Sequence, residues 1–306
     1  MHVRRGRQEV EVFAPAKLNL FLEVLGKRPD GFHEIETVMT RVSLYDTLSL
    51  APDASGHITL ANDLNVAAWP AAGSAASAEK QLPDGPRNIV VRALEALRQA
   101  AGVEHGARVR LTKRIPLAAG MAGGSTDAAA ALAAANVAWE LHWPAARLAE
   151  IAATLGSDIP YFFTPGAALC TGRGEKVEPT ASGTVLHFAV IAPPEGLSTA
   201  AVYKACRPAA EPRSAVDLIS AWRRGHIADV GRLLFNRLQE AAEAISATIR
   251  RLARELQNLD CLGHQMSGSG TSYFALCRSA AHARHTAAVL QARGWGRTLA
   301  LASTVA

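Results

Sequence analysis

The stretch from 115 to 132 reads IPLAAGMAGGSTDAAAAL, and it places conformationally flexible glycines just before an alanine-rich segment that favours a helix. Three glycines precede the hydroxyl residues Ser125 and Thr126, and an alanine-rich run follows. A helix N-terminus offers free N–H donors and the positive end of the helix dipole, and glycines ahead of it let an anion approach the backbone closely. The stretch therefore has the parts of a phosphate-binding loop, with glycine-rich packing of a strand on a helix as the alternative.

Familiar nucleotide-binding templates do not fit this stretch. No lysine follows the glycines as G-x-x-x-x-G-K-[ST] requires, and Ala122 stands where the second glycine of G-x-G-x-x-G belongs. The hydrolase motif G-x-S-x-G is absent here and from MSGSGTS at 266–272. Asp127 places a carboxylate in the first helical turn, where it would repel phosphate. It either caps the helix or faces a cation, and the sequence leaves both open.

Outward from the glycines, hydrophobic spacing predicts a chain of mixed helices and strands. A segment rich in Ala, Ser, Pro, Gly and Asp is expected to form a long surface loop over 62–87, of unknown role. The strands are predicted at 9–14, 18–25, 35–52, 107–116 and 184–193, with one more after the glycine turn of 264–277. The helices are predicted at 87–102, 125–140, 145–155, in three segments over 214–258, and at 279–293.

Composition indicates a soluble globular protein: 306 residues, 49% hydrophobic and 19% charged, suggest roughly two domains at ~150 residues each. No apolar h-region follows the charged residues of 1–10, and no apolar run reaches the length that spans a bilayer, so we expect no signal peptide and a cytoplasmic protein without a membrane partner. The net charge of +5 fits an anionic substrate, but the basic residues are scattered and aromatics are only 6%, so no nucleic-acid partner is expected. The pair His282 and His285 is interpreted as a solvated helix face, and no metal site is predicted.

Three motifs in order resemble those of the GHMP kinases, a family that uses a glycine loop of this kind for ATP. They are FAPAKLNLFLEVLGKRPDGFHEIETVM at 13–39, the glycine stretch itself, and MSGSGTSYFAL at 266–276. The resemblance implies an α+β fold with the active site in a cleft between two domains. The N-terminal domain, 1–170, would resemble the second domain of ribosomal protein S5, and the C-terminal domain, 171–306, a ferredoxin-like split βαβ.

The wording of the first motif, and CTGRGEKVEP at 170–179, resemble one branch of this family. That branch uses Mg²⁺ and ATP to phosphorylate the 2-hydroxyl of 4-diphosphocytidyl-2-C-methyl-D-erythritol, in the non-mevalonate isoprenoid pathway. Two alternatives stay open: another small-molecule GHMP kinase, acting on a sugar or phosphomevalonate, and a non-catalytic nucleotide sensor. The sequence leaves monomer and homodimer undecided.

The resemblance assigns catalysis to Lys17, in PAKLN, and Asp158, in GSDIPYFF. A carboxylate can take the proton of a poorly nucleophilic hydroxyl, and an ammonium nearby can offset the developing phosphoryl charge. Local sequence alone favours another interpretation for Asp158, because Ile159 and Pro160 follow it as they would follow a helix N-cap. Lys17 alone would be a surface lysine beside a strand.

The resemblance also assigns binding residues at both ends of the cleft. Ser125 or Thr126 could reach Mg²⁺, and Phe32 stands where the family usually has tyrosine, so a phenolic hydroxyl is lost. The residues expected at ATP are Pro116, Ala118, Gly120, Ala122, Gly123, Gly124, Ser125 and Thr126, with Asn88 near the adenine. Those expected at the substrate are Asn19, Phe32, His33, Tyr203, Ser267 and Gly268. The rings of Phe32 and Tyr203 are expected on either side of the cytosine.

Overall fold

The computed structural model describes residues 1–64, 85–180 and 183–304, and the strands and helices below belong to these ranges. The strands are β1 (His2–Arg5), β2 (Val10–Lys27), β3 (His33–Asp53), β4 (Ile58–Leu64), β5 (Gly106–Lys113), β6 (Ala167–Gly172), β7 (Lys176–Thr180), β8 (His187–Ala192), β9 (Phe235–Asn236), β10 (Gly263–Met266), β11 (Tyr273–Cys277) and β12 (Arg297–Ala302). The helices are α1 (Ile89–Ala101), α2 (Gly123–Ala138), α3 (Ala145–Leu155), α4 (Thr199–Ala205), α5 (Val216–Arg223), α6 (Ile227–Leu233), α7 (Leu238–Ile245), α8 (Ala247–Gln257) and α9 (Ala280–Ala292).

A long antiparallel pair, β2 and β3, is the centre of the larger sheet, whose main order is β1-β2-β3-β5-β4. Strand β6 pairs antiparallel with the first part of β3 and with β7, while the short β9 pairs parallel with β2. The two strands predicted at 9–14 and 18–25 are one continuous strand. Pro15 lies inside it, and the pairing with β3 shifts register between Pro15 and Ala16. Such an irregularity accommodates a proline, which has no N–H for the ladder.

Helix α2 confirms the helix predicted after the glycines, and it packs on β2, β3 and α1. Its residues from Ala128 to Ala135 are all buried, and seven of these eight are alanine. Small side chains let the helix axis approach the sheet closely, and a helix that is apolar all round belongs in a core. The sheet therefore holds the N-terminus of α2 in a fixed place.

The smaller sheet has the order β10-β11-β8-β12 and is antiparallel throughout. Its strands contribute Phe188 and Phe274 to a core that also contains Leu18 of β2 and Trp222 of α5. A bridge between Val42 of β3 and Ser303, which directly follows β12, joins the two sheets. The sheets therefore share one buried core, which fixes the cleft between them.

Two further sequence predictions need correction. The three helical segments predicted over 214–258 are four helices separated by β9 and by short breaks. Gly225, with φ +74°, ends α5, and the Ser246 hydroxyl accepts the Ile249 N–H to begin α8. Within the predicted loop 62–87, residues 62–64 continue β4 and Gly85–Arg87 form a 3-10 turn, while 65–84 lie outside the described residues. In the described ranges, no helix combines the length and apolarity needed to cross a bilayer.

Candidate active site

A cleft of about 1000 Å³ brings together residues from all three motifs, from the turn before Pro160 and from α4. Fourteen of the predicted site residues line it: Lys17, Asn19, Phe32, His33, Pro116, Ala118, Gly120, Ala122, Gly123, Gly124, Ser125, Asp158, Tyr203 and Gly268. Ser267 and Thr126 lie buried behind this lining. Asn88 is also buried, and its side chain accepts the Val90 N–H as the N-cap of α1.

The glycine loop is held against the third motif by very close backbone contacts. A Cβ on Gly120, which has φ +71°, would lie only 2.0 Å from the Ser267 carbonyl oxygen. The Ser267 hydroxyl donates to the Gly120 carbonyl (3.0 Å), and the Ser272 N–H donates to the Ala119 carbonyl (3.1 Å). Only glycine combines this approach with a positive φ. The third motif therefore supports the loop from behind.

The loop leads into the N-terminus of α2 with Gly124 and Ser125 facing the cleft. A Cβ on Gly124 would have one neighbour within 4 Å, Ile89 Cγ2 at 3.8 Å, so the space before it is open. A Cβ on Gly123 would instead meet Lys113 Nζ and Ile115 Cγ2, each at 3.1 Å. Gly124 thus leaves room for a ligand, whereas Gly123 leaves room for packing beneath the loop.

Asp127 faces a cation, which resolves the question that its sequence position raised. Its Oδ2 accepts a hydrogen bond of 2.6 Å from Lys113, which also pairs with Asp46, and all three side chains are buried. Burial raises the pKa of Asp127 well above its usual range, the Lys113 charge opposes this, and Asp46 adds to it. Burial disfavours the Lys113 ammonium, but the two carboxylates outweigh it and raise its pKa. The negative charge of Asp127 in the first turn of α2 is therefore compensated by the Lys113 ammonium, which lies beneath the loop.

Lys17 and Asp158 lie together at the centre of the cleft, with Lys17 Nζ 3.7 Å from Asp158 Oδ2. Lys17 is 3% exposed, and burial lowers its pKa while Asp158 partly restores it. The N-cap interpretation of Asp158 is wrong: the 3-10 turn Pro160–Phe163 has Ile159 as its cap residue and no side-chain capping bond. The Asp158 carboxylate thus faces the ammonium and the cleft.

Asn19 orients Lys17. Its Oδ1 accepts a bond of 2.5 Å from Lys17 Nζ, and its Nδ2 donates to Thr37 Oγ1 (2.8 Å). The Thr37 hydroxyl in turn donates to the Phe21 carbonyl (2.6 Å). Because each partner is itself anchored, the ammonium has one favoured position. The side chain of Asn236, in NRLQEA at 236–241, supports the third motif as well: it donates to both the Met266 and the Gly268 carbonyls at 2.8 Å.

At the other end of the cleft, the rings of His33 and Tyr203 lie 5.0 Å apart and are tilted by 34°. Burial and the Lys27 charge lower the pKa of His33, which favours the neutral imidazole, and a neutral imidazole presents one donor and one acceptor. Phe32 is 50% exposed, and the Arg173 guanidinium covers its ring at 4.7 Å. The geometry suits a flat, polar-edged ring.

The motifs did not single out three cationic residues of the cleft: Lys27, Arg173 and Lys204. Arg173 lies within CTGRGEKVEP, so a signal for it was present in the wording of that segment. Lys27 likewise lies within the first motif, at 13–39, whereas Lys204 carries no such signal, because surface lysines flank many helices.

Comparisons with known proteins agree with this geometry. The family model described as GHMP kinases N terminal domain matches residues 88–166, and GHMP kinases C terminal matches 218–294. The 4-diphosphocytidyl-2-C-methyl-D-erythritol kinase of Pelotomaculum thermopropionicum is 40% identical over 91% of this chain and 93% of its own length.

Solved structures show the same fold. The crystal structure of a 4-(cytidine 5'-diphospho)-2C-methyl-D-erythritol kinase has a TM-score of 0.75 and 31% identity, covering 96% of this chain and 99% of that one. A homoserine kinase from Cytophaga hutchinsonii has a TM-score of 0.76 at 18% identity, covering 100% of this chain and 97% of its own, which shows the fold alone. The chain belongs to the GHMP kinases and, within them, to the family of 4-diphosphocytidyl-2-C-methyl-D-erythritol kinases.

Proposed function

We propose that this protein transfers the γ-phosphoryl group of ATP to the 2-hydroxyl of 4-diphosphocytidyl-2-C-methyl-D-erythritol, giving the 2-phosphate and ADP. The observation that carries the proposal is the order of parts along one cleft. A glycine loop before a helix lies at one side, the pair Lys17–Asp158 at the centre, and the ring pair His33–Tyr203 at the other end. A nucleotide donor, a reacting hydroxyl and a cytosine need these three parts in this order.

The N-terminus of α2 would bind the phosphates of ATP through its free N–H groups and the dipole. Ser125 adds a hydroxyl that faces the cleft. The Lys113 cation beneath Gly123 keeps the Asp127 carboxylate from opposing the phosphates. The adenine would lie beyond this loop, and Asn88 acts there through its capping of α1 rather than from the cleft lining.

Asp158 would accept a hydrogen bond from the substrate hydroxyl, aim its oxygen at the phosphorus and take the proton as the new bond forms. With a loose transition state, orientation contributes more than basicity. Lys17 pairs with that carboxylate and places positive charge where the phosphoryl oxygens become more negative. Asn19, Thr37 and Ser267 hold Lys17 and the loop in register.

Mg²⁺ supplied with ATP would neutralise part of the phosphate charge during the transfer. Among the described residues, no cluster of three or more His, Cys, Asp or Glu side chains could hold a metal by itself. Oxygen donors that line the cleft do suit a partly hydrated Mg²⁺, which takes one or two protein ligands besides the phosphates. Ser125 and Asp158 are such donors.

We further propose that the enzyme acts in the cytoplasm on this small molecule, without a nucleic-acid partner, as a monomer or homodimer. The basic residues are scattered along the chain, and aromatic residues make up only 6% of it.

ADP release in the presence of ATP and Mg²⁺ tests the function. We expect turnover with the cytidyl substrate and none with homoserine, mevalonate or phosphomevalonate at equal concentration. Turnover with one of those alcohols instead would favour another GHMP kinase activity. Tight binding of ATP and of the cytidyl compound without any turnover would favour a nucleotide sensor, although the paired Lys17 and Asp158 argue against it.

A further inference from the structure

We propose that Arg173 binds the diphosphate bridge of the substrate and is a specificity-determining residue of the reaction. The inference rests on the proposed function, because the diphosphate is part of that substrate. It assigns a task to a cation that lines the cleft and that neither the glycine loop nor the catalytic pair uses.

Arg173 begins the tight turn that joins β6 to β7, directly beside the catalytic carboxylate. The next residue, Gly174, has φ +113°, and a Cβ on it would lie 3.6 Å from Asp158 Oδ1 and 3.7 Å from Ser157 Cβ. The turn is closed by the Arg173 N–H, which donates to Glu175 Oε2 at 2.6 Å. Arg173 is therefore fixed through its backbone near the centre of the cleft, where the hydroxyl reacts.

The side chain of Arg173 extends from that turn towards the end of the cleft that contains Phe32, His33 and Tyr203. Its guanidinium carbon lies 4.7 Å from the centroid of the Phe32 ring, beside the pair His33–Tyr203. In a cytidyl diphosphate substrate, the two phosphates connect the base to the alcohol that is phosphorylated. A cation that spans from Asp158 to Phe32 lies where that connection has to pass.

The guanidinium has its donors available. Its Nε forms an ion pair with Glu175 Oε2 at 3.9 Å, and its charge also acts on the Asp30 carboxylate, but none of its N–H groups makes a hydrogen bond within the part of the chain that the structure describes. The side chain is only 29% exposed. The Arg237 guanidinium, by contrast, donates two hydrogen bonds to the carboxylate of the buried Glu23. A partly buried guanidinium with free donors matches the oxygens of a phosphate group bidentately.

Two lysines, Lys27 and Lys204, also line this end and add positive charge. Both belong to the exposed surface, where an ammonium acts as a hydrated point charge. Arg173 differs because its backbone is fixed beside Asp158 while its head group reaches the base site. We therefore assign the geometric recognition of the bridge to Arg173 and only a general attraction to the lysines.

Binding of CDP and of cytidine to Arg173→Met and Arg173→Lys, measured by calorimetry, tests the assignment. Methionine removes the charge and the donors but keeps a long side chain over Phe32. We expect Arg173→Met to weaken CDP binding by about tenfold or more, as for a hydrogen bond to a charged group, and to leave cytidine binding unchanged. Lysine should restore only part of the loss. In turnover, KM for the cytidyl substrate should rise far more than kcat falls.

Arg147→Met is the matched control, because Arg147 also stacks on an aromatic ring, that of Trp143 at 5.4 Å, but lies outside the cleft lining. It should leave both affinities unchanged. Equal losses for CDP and cytidine in Arg173→Met would mean that Arg173 acts on the base through Phe32, and unchanged affinities would mean no contact; either result overturns the assignment. Wild-type turnover separates the two proposals: without it the proposed function fails, whereas turnover with an unaffected Arg173→Met refutes only the role of Arg173.

Discussion

Replacing Asp158 by asparagine separates a catalytic carboxylate from a structural one. The side chain keeps its size but loses its charge and its ability to accept a proton. Two unit charges about 4 Å apart interact by about 1 kcal/mol in water and about 4 kcal/mol near a protein surface. The Asp158–Lys17 separation is 3.7 Å, and the carboxylate side chain is 34% exposed, so screening places the loss of folding free energy towards the lower figure.

The effect on catalysis should be much larger than the effect on stability. General-base contributions are about 10²–10⁴-fold, which corresponds to about 3–5 kcal/mol in the barrier. We therefore expect Asp158→Asn to melt within a few degrees of the wild type, to bind ATP and the cytidyl substrate, and to lose kcat by at least about a hundredfold. Lys17→Met should lose a similar factor, and the double variant should lose much less than the product because the two residues act as one unit.

The assay is steady-state ADP release, with melting temperature and ligand binding measured on the same samples. Asp260→Asn is the matched control, since Asp260 forms an exposed ion pair with Arg278 at 2.7 Å and does not line the cleft. It should leave kcat unchanged. If Asp158→Asn melted early but turned over at the wild-type rate, Asp158 would be a structural residue and the catalytic assignment would be withdrawn.

Three further predictions concern the loop, the base site and the buried charges. Gly124→Val should raise KM for ATP while keeping the melting temperature, because its side chain would enter open space before the helix; an unchanged KM would show that phosphate does not approach there. Burial and the Lys27 charge lower the pKa of His33 below the ordinary histidine value of 6.5, so cytidine affinity should fall on acidification with a midpoint below pH 6.5; a midpoint above pH 6.5, measured by calorimetry, would contradict this. Asp46→Asn should lower the free energy of unfolding in urea by about 3–5 kcal/mol, because it breaks a buried pair with Lys113; an unchanged free energy of unfolding would show that this pair does not stabilise the fold.

Much of the fold could be predicted from residues that are neighbours in the chain. Apolar spacing and the C-cap Gly102 located α1, and the glycine–alanine boundary located the start of α2 to within two residues. Errors arose where the local signal was ambiguous. Pro15 divided one strand into two in the prediction, because the sequence does not show the register shift that accommodates it.

Asp158 shows how far local signals reach at the site. Its neighbours Ile159 and Pro160 are typical of a cap, and only the family resemblance indicated catalysis. The structure has no such cap and places the carboxylate against Lys17, which is 141 positions away along the chain. No spacing rule connects residues so far apart.

What the sequence by itself determined is therefore the set of parts: a glycine loop before a helix, a lysine on a strand, an aspartate before a turn and the family to which they belong. Tertiary structure decided which parts meet. Pairing of β2 with β3 and docking of the second sheet bring Lys17, Asp158 and Gly268 together. Packing of α2 on the larger sheet places Lys113 beneath Asp127, and pairing of β6 with β3 brings Arg173 to Phe32. The physical reason is that charge pairing, burial and close backbone approach depend on distances in space, and local patterns fix only the distances within a single helix, strand or turn.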